Sequence, residues 1–322
     1  QLAVTHEYVK DEKSLKAIAK NQPSIVRIGT LYCANLLLKM ADGSTNTTLS
    51  DACVGKISTG AFVSNDGYIA TTGHAVRFEP KDAINGYINF AESRDEMFDR
   101  LQRVLDYMLK AGHIKETDAD YLKTGAGTGD QDALAKIENL GSMIPDDFVQ
   151  VAKDSYAYAI QPTDKPIVLN RSSGNKPTFA YSDAVFPAKY FKGDYDATKS
   201  AQESFASPTS SADVALLKAE GTFPTVKIGN GDDVKANQKL STVGYPAYAD
   251  SGLSIDKILN IPVATNRTVE QTFKQDSHFL MQTNTPILPG NDGAPTFDGD
   301  SLMIGMGVYG HKYCPDGQCF GS

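Results

Sequence analysis

Two glycines flanking a pair of polar residues, with a proline closing the turn, can aim consecutive backbone N–H groups at one point. The chain has such a stretch near its C-terminal end, Pro289-Gly290-Asn291-Asp292-Gly293-Ala294-Pro295. Its pattern fits an oxyanion hole, with the residue at 292 presented at the mouth. That residue is an aspartate. A carboxylate has no proton to give a neighbouring base and is a weak acyl nucleophile. It also puts negative charge where a developing oxyanion would have to sit.

The surrounding chain must be folded to hold such a loop. It has 322 residues, with 22% charged and 41% hydrophobic, ordinary values for a globular protein and enough for one large or two medium domains. The net charge is −8 without a long basic run, which argues against nucleic acid as a partner. The apolar run from Ala34 to Leu38 is far shorter than the roughly 20 residues a membrane helix needs. Gln1 reads as the start of a processed or truncated product. The four cysteines form two close pairs, Cys33 with Cys53 and Cys314 with Cys319. Both read as hairpin disulfides and so point to an extracytoplasmic compartment, secreted or periplasmic. Free thiols and a zinc site are the weaker readings, the latter because no Cys-x-x-Cys is present.

Residues 1–22 carry a helical pattern and are expected to be a lead-in helix. Pro23 to Gly29 and Leu31 to Met40 read as strand, followed by a turn cluster at 41–46. Asn65-Asp66-Gly67 between two apolar runs predicts a hairpin, and its second strand runs directly into His74. From Ala91 the period becomes helical, with Met97, Leu101, Val104, Leu105 and Met108 on one face. Further helical pieces are expected at 119–123 and 132–140. The run Gly125-Ala126-Gly127-Thr128-Gly129 lacks the Lys-Ser/Thr of a phosphate loop and reads as a flexible connector between them. Strand patterns return from Tyr156 onward.

Three blocks carry a family resemblance. Gly60-Ala61-Phe62-Val63, a hairpin, then Gly67-Tyr68-Ile69-Ala70-Thr71-Thr72-Gly73-His74-Ala75-Val76 resembles the catalytic-histidine block of trypsin-like serine proteases of the HtrA type. Asp213-Val214-Ala215-Leu216-Leu217-Lys218 resembles the strand whose aspartate orients that histidine. Leu288 to Pro295 resembles the nucleophile loop, in which the family has Ser where this chain has Asp292, and Gly where it has Ala294. The order of the blocks is that of the family, and the likeness covers roughly 23–90 and 178–313.

The resemblance implies a mostly β fold of two six-stranded antiparallel barrels, about 23–225 and about 226–322, with the site in the cleft between them. A largely helical insertion at about 91–155 separates His74 from Asp213. The implied catalytic set is His74, Asp213 and, in the nucleophile position, Asp292. The N–H groups of Gly290 and Asp292 would form the oxyanion hole. Pro286 falls at the base of the substrate pocket, and Gly305, Met306 and Gly307 at one wall. No carboxylate stands at that base, so a small or apolar side chain is expected to bind there.

The resulting expectation is an inactive protease domain, a pseudoprotease that binds a peptide or protein partner. The alternative is a secreted serine endopeptidase whose nucleophile serine has been replaced at 292. His74 between two carboxylates is expected to hold a proton more tightly than usual. An aspartic-protease reading fails because a histidine stands where the second carboxylate is needed. Two carboxylates and an imidazole suit a divalent cation, yet nothing else in the sequence supports one, so no metal or cofactor is expected. The helical insertion is expected to serve as an oligomerisation or docking element.

Overall fold

The computed structural model describes residues 19–162, 165–170, 176–196, 212–246, 262–275, 278–285, 287 and 290–308. Most of the lead-in helix, Pro286, Cys314 and Cys319 therefore lie outside the described residues. Ala19–Asn21 end a helix, and a 3-10 turn, Gln22–Ser24, leads into the first strand.

That strand, β1 (Ile25–Lys39), is a single unbroken element. It pairs along its length with β2 (Thr45–Phe62) on one side and β4 (Val149–Gln161) on the other. Its first ten residues are all buried, rather than alternating as a half-exposed strand would. The cause is cover on both faces: Val26 and Ile28 line the barrel interior and Tyr32 and Ala34 continue that face into a core with the helices, while Ile25, Leu31 and Cys33 on the other face are buried in separate clusters.

The other barrel strands are β3 (Tyr68–Thr72), β7 (Phe186–Asp194) and β8 (Val214–Ala219), while β5 (Leu169–Asn170) and β6 (Thr178–Phe179) pair as a separate two-stranded sheet. The six close in the order β1-β2-β3-β8-β7-β4, and every pair is antiparallel. Cys33 lies directly opposite Cys53 in the β1–β2 register, and the two form a disulfide.

Between β3 and β4 run five helices: α1 (Gly73–Val76), α2 (Asp82–Asn89), α3 (Arg94–Ala111), α4 (Glu116–Thr128) and α5 (Gln131–Ile137). The helical stretch thus starts at Asp82 and yields to β4 at Val149, displaced from the expected 91–155. Local signals explain α3. Ser93 Oγ accepts from the Glu96 N–H at its start, and Gly112, at φ +78, ends it. Apolar side chains of α3, among them Leu101, Val104, Leu105 and Met108, pack with Leu36, Leu38 and Leu49 of the extended β1–β2 hairpin. The insertion is therefore seated on the far end of barrel strands.

The glycine run is not a connector. Gly125 to Thr128 continue α4, and only Gly129, at φ +77, ends it. Glycine is a poor helix former, but Gly125 allows α5 to approach closely: a Cβ there would lie 2.1 Å from that of Ala133. Gly127 meets nothing within 4 Å. Gly127→Ala should therefore raise stability by about 0.5–1 kcal/mol, while Gly125→Ala should lower it. Paired urea titrations check this, since a flexible connector would leave both midpoints in place.

The second half forms a six-stranded sheet in the order β12-β11-β10-β13-β14-β9. Its strands are β9 (Lys227–Ile228), β10 (Lys239–Gly244), β11 (Val263–Gln275), β12 (His278–Thr283), β13 (Pro295–Phe297) and β14 (Leu302–Met306). One expectation changes here: among the described residues, β14 pairs β9 in parallel, Leu302 with Lys227 and Met303 with Ile228. The two-residue β9 arrives from the first barrel beside β14 rather than by a hairpin, so no turn forces it antiparallel.

Candidate active site

Strand register brings two residues 139 positions apart to one place. Thr72 of β3 pairs with Val214 of β8, so His74 and Asp213 leave the same end of the barrel. The Gly73 N–H donates to the Asp213 carbonyl at 3.1 Å and extends the ladder. Asp213 is fully buried and has φ +49, an uncommon conformation for a non-glycine residue. It directs both carboxylate oxygens at one partner. Oδ1 accepts from the His74 backbone N–H at 2.8 Å, and Oδ2 lies 2.6 Å from His74 Nδ1. The imidazole is fixed in tautomer and orientation, with Nε2 turned away from Asp213.

The 290–294 loop is held on that Nε2 side by the barrel. Thr59 of β2 is the main tie. Its N–H donates to the Asp292 carbonyl at 2.9 Å and its Oγ1 to the Gly290 carbonyl at 2.8 Å, while its own carbonyl accepts from Thr71 Oγ1. On the other side, Gly293 N–H donates to Gly307 and Gly307 N–H to Ala294. Gly293 has φ +77, and a Cβ there would lie 2.3 Å from Thr71 Oγ1. Among the described residues, the backbone N–H groups of Gly290 and Asp292 have no acceptor.

Asp292 is buried. Its Oδ2 lies 3.5 Å from His74 Nε2 and 2.9 Å from Lys56 Nζ. Lys56 is absent from the sequence reading. Its neighbours in sequence, Ile57, Ser58 and Thr59, carry no chemical signal, and only the β2 register aims its ammonium at the loop. Of the expected pocket wall, Gly305 faces the Met281 methyl, where a Cβ would lie 2.7 Å away. Gly307 faces Ile287 Cδ1 and the Asn291 carbonyl, each 3.2 Å from such a Cβ. Met306 pairs with Pro295 in the sheet. No group of His, Cys, Asp or Glu among the described residues is arranged to hold a metal ion.

Burial by itself would push the His74 imidazole toward neutrality. Hydrogen bonds from its ring to Asp213 and Asp292 outweigh it, even against the Lys56 charge, and its pKa is raised above 6.5. Burial likewise opposes the charged form of Asp292, but His74 and Lys56 hold its pKa at about 2. Both shifts link stability to pH. The His74 contribution is complete below pH 6.5 and is lost as pH rises through the folded value. The Asp292 contribution is complete above 3.8 and is lost as pH falls toward 2. Stability from this pair should therefore plateau between these limits. Urea midpoints across pH should show an acid limb that flattens in Asp292→Asn; an unchanged limb would dissociate it from Asp292.

A family model described as a trypsin-like peptidase domain matches residues 168–306. The chain is similar to probable periplasmic serine endoproteases, DegP-like. The one from Pseudomonas fulva is 34% identical over 97 residues, covering 30% of this chain and 19% of that protein. The one from Halomonas elongata is 33% identical over 95 residues, covering 29% and 19%. The matched region spans about a fifth of the length of these relatives. Among solved structures, the serine endoprotease from Yersinia pestis aligns over 95% of this chain and 60% of its own, with 11% identity and a TM-score of 0.41. Residues 168–306 are thus similar to a trypsin-like peptidase domain, and the relatives matched are DegP-like serine endoproteases. No helix among the described residues is long and apolar enough to cross a membrane.

Proposed function

We propose that this chain is a pseudoprotease: a trypsin-like domain of HtrA type that binds a peptide or protein segment without cutting it. One observation carries the reading. The side chain that faces His74 Nε2 is the carboxylate of Asp292, engaged by both His74 and Lys56. Nucleophilic attack needs a group that surrenders a proton to the imidazole, and Asp292 is already ionised. His74 itself is biased toward the imidazolium and is a poor base. The three residues form an ion cluster rather than a relay.

In this reading Asp213 orients His74, Asp292 occupies the nucleophile position, and the N–H groups of Gly290 and Asp292 are the oxyanion donors. The bound segment lies in the cleft between the two β units. The Gly305–Met306–Gly307 wall lines its pocket, with Met281 and Ile287 against the glycines favouring a small apolar side chain. The compartment is extracytoplasmic, periplasmic or secreted, as the Cys33–Cys53 disulfide and the periplasmic names of the relatives support. The helical insertion is its docking or oligomerisation element.

The second reading is an endopeptidase whose serine has been replaced at 292. The intact His74–Asp213 pair, with a 2.6 Å contact, favours it. Both readings predict no turnover by this chain. Incubation with an unfolded protein and a fluorophosphonate probe tests them: cleavage or labelling of the parent chain at His74-dependent rates would overturn both. The Asp292→Ser variant, run beside it, reports whether the remaining machinery is competent.

A further inference from the structure

We propose that Lys56 is a positioning residue of this site, the second cation that pairs with the Asp292 carboxylate and balances the charge around His74. This rests on the reading of residues 74, 213 and 292 as one site.

The argument begins with β2. Thr59 on that strand holds the loop by its backbone, through the carbonyls of Gly290 and Asp292. Lys56, three residues earlier on the same strand, holds the loop by its side chain, with Nζ 2.9 Å from Asp292 Oδ2. A single strand thus fixes both the main chain and the side chain of residue 292. Lys56 Nζ and His74 Nε2 contact the same oxygen, Oδ2, so the carboxylate is gripped between two cationic groups.

Charge balance gives the reason. A buried carboxylate is costly unless paired and hydrogen-bonded. Asp213 and Asp292 place two carboxylates around His74. An imidazolium alone offsets one of them, and the Lys56 ammonium offsets the other. Other groups among the described residues also face the cluster. Asp82 at the start of α2 interacts with Lys56 through space, and the Tyr195 ring stands 6.4 Å from that of His74. The Lys56 side chain is 31% exposed, against 16% for His74 and 6% for Asp292, so Lys56 is the most solvent-exposed member of the cluster.

Lys56 also opposes protonation of His74. With Asp292 replaced by serine, this ammonium would lose its carboxylate and stand beside an imidazole that has to be neutral to act as a base. Lys56 would then keep His74 competent to a lower pH.

The test is an NMR titration of the His74 imidazole, its signal identified by its loss in His74→Gln. The parent chain, Lys56→Met and Lys56→Arg are compared. Lys56→Met should raise the His74 pKa by at least about half a unit, because a nearby like charge is removed. Lys56→Arg should return it to the parent value. A His74 titration unchanged or lowered in Lys56→Met would overturn the proposal. If Lys56→Met fails to fold, Lys56→Gln replaces it with the same expectation. In a second arm, fluorophosphonate labelling of Asp292→Ser is followed against pH with and without Lys56→Met. The midpoint of the acid limb should move upward when Lys56 is lost, and a midpoint that stays would also count against the proposal. An unreactive Asp292→Ser would sink the view of the site as a competent protease lacking only its nucleophile, while the titration of the parent chain would still decide the role of Lys56.

Discussion

Asp292→Ser should be labelled by a fluorophosphonate and should cut an unfolded protein, while the parent chain does neither. The expected gain is on the order of 10³-fold or more, since loss of the nucleophile in a serine-protease template removes up to about 10⁶-fold. His74, Asp213 and the loop backbone are held by contacts that do not need the side chain of residue 292. Asp213 holds His74 through both the ring and the backbone. Thr59 fixes the backbone of 290–292 by contacts that do not involve the Asp292 side chain, so the substitution leaves the loop seated. Removing the carboxylate also removes one of the groups that keep His74 protonated, freeing the imidazole to act as base. The cost is an unpaired Lys56 ammonium beside His74. If the variant is neither labelled nor active, the site departs from a protease by more than residue 292, and the domain is a binding or scaffolding module. The departure at Ala294, which packs against Gly244 at a distance a Cβ would reduce to 2.8 Å, would be the first place to look.

The largest stability effect is expected at Gly86. This residue of α2 lies against the backbone of Cys53, and an added Cβ would sit 1.9 Å from the Cys53 carbonyl oxygen. The strand cannot yield, because Cys53 is tied to Cys33 by the disulfide and paired in the β1–β2 ladder. The helix therefore has to move. Gly86→Ala should cost about 3 kcal/mol, the upper range for overpacking a close-packed interior. It should loosen the insertion before the barrel. Limited proteolysis should cut first between 82 and 148, and the urea midpoint should fall. A variant as stable as the parent, with no new cleavage there, would mean that the insertion is not seated on this strand pair.

The two glycine positions show why the insertion was only partly legible. Gly86 and Gly125 are poor helix formers, and local propensity reads them as breaks. Each is required because another backbone or helix approaches too closely for a side chain, which is a property of the packing partner and not of the local sequence. By contrast, α3 was readable because its signals are local: an apolar stripe, Ser93 before Glu96, and Gly112 after the last turn.

The same division runs through the site. The sequence determined the chemistry available: a Gly-Pro loop presenting Asp292, a hairpin delivering His74, the Cys33–Cys53 pair and, through its resemblance to the HtrA-type strand, an aspartate at 213. Each of these depends on turn chemistry or on residues close in sequence. Tertiary structure decided what that chemistry amounts to. Pairing of Thr72 with Val214 converts a separation of 139 residues into a 2.6 Å contact. The register of β2 makes Lys56, unremarked in the sequence, the second cation on Asp292. A charge acts over a few ångströms whatever its place in the chain, so the partners of a buried carboxylate emerge only once the strands are paired.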